Sequence, residues 1–245
     1  MMKRVAVTLL LFAAFPVLLA ADALSDLRKR LETFPAKAAF LSSANVEVNA
    51  AAQDDASRAG RAAFDVECGP AGFAIRISPK TLAASASEAA AQKQNPNSPT
   101  PTRTAMVALT VFDIMDSLDA ASMLRADLNG ATLIEERTAT LAGKPLTVLR
   151  VKVKPSFATK SRFVSEPKIE LTIRIGSDGI PVAAERVSNF SAGVGFVKGE
   201  NTRTERWELV VHGDRLYATR CVQSEDATAA GKHLRSSRTV TYARR

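Results

Sequence analysis

The chain has 245 residues, 46% hydrophobic and only 6% aromatic, with 33 Lys and Arg against 25 Asp and Glu for a net charge of +8. That length and apolar content exclude a disordered tail or a small disulfide-dependent scaffold, and leave room for one large domain or two small ones. The basic balance favours anionic neighbours without fixing a fold.

Lys3 and Arg4 open the chain, Val5 to Ala20 are almost wholly apolar, and Ala20, Ala21 and Ala23 offer small-residue cleavage sites. This is the pattern of a secretory signal peptide over residues 1–23. The apolar run is shorter than the roughly 20 residues of a spanning helix, and Pro16 interrupts it. No cysteine follows it, so the expected product is a soluble periplasmic or secreted protein and not a lipoprotein. Residues 1–20 hold two basic side chains and no acid, so their removal leaves +6.

Residues 24–245 read as one α+β domain. Leu24, Leu27 and Leu31 recur at helical spacing from Asp22 to Thr33, and Pro35 ends the run. From Ala38 the period becomes two, predicting a long strand through Val48 and a polar loop from Gln53 to Gly60. Arg61–Cys68 and Ala71–Ser78 read as a hairpin turning at Gly69, Pro70 and Gly72. Residues 80–104 break the order. An Ala/Ser/Glu/Gln stretch with the composition of a frayed helix passes into a Pro-rich run and predicts a flexible insertion, the alternative being a partly ordered helix packed on the surface.

Met106–Phe112 is short and apolar, as in a buried strand, and one helix is expected from Asp116 to Leu128, stopped by Asn129-Gly130. The remainder alternates as strands. Thr132–Leu141 and Leu146–Lys154 turn at Ala142–Pro145, Lys168–Ile175 and Val182–Phe190 turn at Asp178-Gly179, and Thr204–His212 and Arg215–Val222 turn at Gly213-Asp214. Arg238–Ala243 adds a last strand. Strands joined by short turns, with an N-terminal and a central helix, predict a mostly antiparallel α+β fold built on a large curved sheet or open barrel.

Cys68 and Cys221 are the only cysteines. In an oxidising compartment they form a disulfide candidate, worth about 4–5 kcal/mol on the chain-entropy estimate for so long a loop. The alternative is two unpaired thiols acting as small apolar residues. Arg150, Lys152 and Lys154 share one strand face, with Lys160, Arg162 and Lys168 nearby, and form a candidate contact for an anionic surface. A solvated sheet face explains them equally.

No nucleophile elbow, zinc-binding helix, paired C-x-x-C or phosphate loop occurs. No catalytic residue, metal site or cofactor is assigned, and the reading is non-enzymatic. His212 and His233 are the only histidines and read as surface residues. Asp113, Asp116 and Asp119 recur every third residue, and helix capping accounts for the last two without a metal. Gly193, Gly195 and Gly199 read as a loop between strands, and Asn189-Phe190-Ser191 matches a glycosylation pattern of interest only in a eukaryote.

The helix after the leader, the long strand from Phe40 and the hairpin around Ile175–Gly179 resemble the outline of bacterial outer-membrane lipoprotein carriers (LolA/LolB-like). The resemblance is one of element order and implies an open barrel whose apolar cavity holds acyl chains. It implies a carrier of an apolar ligand, a lipid or lipoprotein, on the concave face of the sheet. The competing class is a structural or assembly protein of the cell envelope working through protein contacts. Complete filling of the concave face by Leu27, Leu31, Leu118 and Leu124 would leave a carrier no room.

Overall fold

The computed structural model describes residues 17–52, 58–70, 72–155, 165, 167–194, 197–229 and 231–245. Helix α1 (Val17–Glu32) buries the predicted stripe of Leu24, Leu27 and Leu31. It starts upstream of Asp22, inside the N-terminal apolar run; residues 1–16 lie outside the described residues.

Three strands follow, β1 (Phe40–Ala52), β2 (Arg58–Gly69) and β3 (Gly72–Ile77). Alternation puts Phe40, Ala44, Val46 and Val48 of β1 and Ala62, Phe64 and Val66 of β2 into the core. The segment expected to be a flexible insertion instead forms α2 (Pro79–Gln94) and α3 (Pro101–Ala108). Helix α2 buries none of its residues, so it carries no apolar stripe to read. Local bonds define it: Ser78 caps the backbone N–H of Thr81, and Glu88 accepts from the N–H groups of Thr102 and Arg103 at 2.9 and 3.0 Å, closing the first turn of α3.

The Met106–Phe112 strand is also corrected: those residues end α3 and begin α4 (Val111–Leu118), with Thr110 as the N-cap. Asp119 ends α4 and caps α5 (Ala120–Leu128), so the single helix expected over 116–128 is two. Seven strands complete the chain: β4 (Thr132–Leu141), β5 (Lys144–Val153), β6 (Lys168–Ile175), β7 (Pro181–Val194), β8 (Val197–His212), β9 (Arg215–Ala229) and β10 (Lys232–Arg244). Ala142 and Gly143 both have positive φ, 48° and 78°, as a two-residue turn between right-twisted strands requires.

All ten strands form one antiparallel sheet in the order β3-β2-β1-β10-β9-β8-β7-β6-β5-β4. Its edges are β3 and β4, so it is an open sheet, mostly antiparallel α+β as predicted. Those edges are consecutive strands, joined by α2–α5, which therefore pass across one face. Helix α3 lies on β2, α4 and α5 lie on β9, and α1 packs against α5 and β4. Leu27, Leu31, Leu118 and Leu124 are all at most 2% exposed, so the face beneath these helices is solid where they sit. Filling stops short of the turn between β2 and β3.

Gly60 of β2 is where α3 rides closest. A Cβ there would stand 2.8 Å from Pro101 O and Ala105 N, both backbone atoms. Gly60→Ala is therefore expected to lose about 1–3 kcal/mol of stability in urea unfolding, with α3 displaced from the sheet.

Candidate functional site

The break at Asp119 shapes the site. Asp119 Oδ1 accepts from the Ser122 N–H at 3.1 Å, redirecting the chain so that Met115, Asp116 and Leu118 of α4 and Ser122, Met123 and Ala126 of α5 border the same hollow. The opposite wall is the β2–β3 turn, with Cys68, Gly69, Gly72 and Phe73, closed by Ala36 and Arg215. The hollow has a volume of about 480 Å³. Arg215, itself 3% exposed, donates to Leu118 O at 3.1 Å, Ala36 O at 2.7 Å and Ala38 O at 3.0 Å, tying β9 to α4 and to the chain entering β1.

Behind the hollow, charged groups bind the helices to the sheet. Arg186 of β7 pairs with Glu205 of β8 at 2.8 Å and Asp127 of α5 at 3.0 Å, with Asp116 further off at 4.0 Å. Arg203 pairs with Glu205 at 2.7 Å and Asp113 at 3.2 Å, and Arg238 of β10 meets Asp113 at 2.8 Å. Burial pushes Asp116 up to about 6, reinforced by Glu205, Asp127 and Asp113 and opposed by Arg186. Burial also raises Asp127 against the pull of Arg186. For Asp113, burial is outweighed by the Thr110 hydroxyl and by Arg238 and Arg203, so its carboxyl is lowered.

A second hollow of about 520 Å³ lies between α2–α3 and β1, β9 and β10. Its walls are mixed, with Arg103, Thr104, Gln223, Glu225 and Ser237 beside Val48 and Val107.

No protein-family model and no curated protein matches the chain. Among solved structures, a LolA superfamily protein from Nitrosomonas europaea is 13% identical over 91% of this chain and 91% of its own, with a TM-score of 0.32. A superposition this loose carries no argument about the fold or about what the hollow holds.

The two cysteines are not brought together. Both are free, Cys68 half-buried on β2 and Cys221 buried on β9, with β1 and β10 between them. Cys221 lies level with Val240, Val46 and Ala62, six residues along β2 from Cys68. Strand spacing and rise put their Cα atoms on the order of 20 Å apart, against the roughly 7 Å limit of a disulfide. This corrects the expected bond. Thr219 is the extra residue of a bulge between β8 and β9, so the strict alternation along β9 is broken before Cys221. Burial pushes the Cys221 thiol up to about 12.

Arg150 and Lys152 lie exposed on β5 as the alternation requires, and Lys154 is exposed just past its end. Arg150 is engaged by Glu135 at 3.3 Å and Glu170 at 4.0 Å, which offsets part of the stripe's charge; Lys160 and Arg162 lie outside the described residues. Of the three aspartates, Asp119 caps a helix, but Asp116 lies inside α4 and faces the hollow, so capping does not explain it. His212 and His233 sit level with opposite ends of β9. Gly193 and Gly199 lie within β7 and β8, not in a loop, and Gly195 is outside the described residues.

Proposed function

We propose that the chain is a soluble, exported, non-enzymatic binding or carrier protein that holds an apolar ligand, such as the acyl chain of a lipid or lipoprotein, in the hollow beneath α4 and α5. The observation that carries this reading is the hollow itself. Its volume of about 480 Å³ falls in the range of roughly 300–1,000 Å³ typical of small-molecule sites. Phe73, Leu118 and the adaptable thioethers of Met115 and Met123 line it. Burial holds the Cys68 thiol in its protonated form, and neither histidine borders the hollow, so the nucleophile–base pair of a hydrolase is not assembled from these lining groups. Among the described residues no helix is long and apolar enough to cross a membrane.

Ala126 stands exposed at the mouth, where an indole can be added without disturbing the core. Ala126→Trp is expected to weaken decanol binding at least tenfold while leaving unfolding unchanged within about 0.5 kcal/mol. Protection of Cys68 from N-ethylmaleimide reads the occupancy. Failure of decanol to protect Cys68 in the wild-type protein would remove the carrier reading.

The alternative, an envelope assembly protein, has one observation in its favour. Val107 and Phe112 are 84% and 78% exposed at the junction of α3 and α4, beside the half-exposed Val111 and Met115. Native mass spectrometry separates the two: a carrier retains a lipid adduct, whereas an assembly protein arrives empty and bound to a protein.

A further inference from the structure

We infer that the hollow selects an amphipathic ligand with a cationic head, an amine or quaternary ammonium on an apolar tail, and that Asp116 receives that head. This rests on the binding reading above and adds its charge preference. Asp116 borders the hollow with its side chain 41% exposed, and among the described residues no hydrogen bond reaches its carboxylate. Its cation, Arg186, stands 4.0 Å away and is already engaged at shorter range by Glu205 and Asp127.

Counting charges gives the sign. Asp113, Asp116, Asp127 and Glu205 stand against Arg186, Arg203 and Arg238, so one negative charge is unmatched, and Asp116 is the member turned toward the hollow. The other charged groups bordering the hollow are committed: Asp119 caps α5, and Arg215 is held by three carbonyl oxygens. A cationic head would complete the ion pair that Asp116 lacks. An anionic head would meet an uncompensated carboxylate, which in an apolar surrounding is costly. The protein as a whole carries +8, so long-range attraction favours anions. A preference for a cation would therefore have to arise locally.

The test is calorimetric titration of the full chain lacking its leader with decyltrimethylammonium, decanol and decanoate, each below its micelle-forming concentration. At pH 7.5 the ammonium should bind at least tenfold more tightly than decanoate. Asp116→Asn should weaken the ammonium about tenfold and change decanol less than twofold, and Asp116→Glu should restore most of the loss. In the wild type the ammonium should lose its advantage as pH falls through about 6, where Asp116 takes up a proton in the field of Arg186, Glu205, Asp127 and Asp113, with Asp119 and Arg215 the other charged groups bordering the hollow. Decanol binding with decanoate preferred, or with the ammonium indifferent to Asp116→Asn, overturns the charge preference and leaves the binding reading standing. If none of the three binds, both fail.

Discussion

Arg186→Met should lower stability by about 3–5 kcal/mol at pH 7, the cost of stripping the cation from a buried ion-pair network. The side chain of Arg186 is 18% exposed, and those of Asp127 and Glu205 are 15% and 6% exposed. Glu205 keeps Arg203 in the variant, but Asp127 has only Arg186 within ion-pair distance among the described residues. Arg186 also stacks over Trp207, 5.2 Å from the ring centroid, and a methionine retains part of that packing, so the loss reports charge more than volume. The pH dependence identifies the cause. Asp127 already titrates above its ordinary value, and removing Arg186 raises it further. A carboxyl whose folded pKa exceeds its unfolded one gains stability as pH falls toward the unfolded value, so the deficit should shrink between pH 7 and pH 4. Urea unfolding at both pH values measures it; a deficit independent of pH would mean that packing carries the effect.

Leu124→Ala should cost about 2–5 kcal/mol, because α5 holds its place over the sheet through side chains that have no solvent to retreat to. Leu124 is fully buried in the cluster that includes Leu27, Leu31 and Leu118. The matching change on α2, Leu82→Ala, removes a side chain that is 51% exposed, and its effect should stay within about 0.5 kcal/mol. Equal losses at the two positions would contradict the placement of α2 outside the core.

The strands were legible because each face of the sheet sees one solvent. Leu171, Ile173 and Ile175 are buried, and the turns at Ala142-Gly143, Asp178-Gly179 and Gly213-Asp214 lie where their residues predict them. The helices between β3 and β4 were not legible, for two reasons. Helix α2 buries nothing, and the apolar run from Met106 to Phe112 spans a helix end, two extended residues and a helix start, with Val107 and Phe112 facing outward. A short apolar run has no period of its own to separate strand from helix.

The charged part of the site left a fainter trace. Extending the Trp207–Leu209 alternation back along β8 puts Glu205 and Arg203 on the buried face, and Arg186 shares a face with Ala184 on β7. Two inward charges on one strand signal a polar network. Their partners Asp113, Asp116 and Asp127 lie about 60–90 residues away in sequence, and only the fold brings them within reach. The hollow depends equally on the helix break at Asp119, which a continuous apolar stripe from Leu118 to Leu128 conceals.

The pairing of β1 with β10 fixes an order of events in folding. Ser42 lies opposite Arg244, and eleven such pairs join the beginning of the sheet to its end. Among the described residues, β1–β3 pair with the other seven strands through β10 alone. A chain emerging from its N-terminus can build β1–β3 and, later, the meander from β4 to β9, but no strand pairing joins the two pieces until the last strand is delivered. Such long-range closure is slow. The ribbon of hydrogen bonds between β1 and β10 is thus the strand pairing that turns two half-sheets into one sheet.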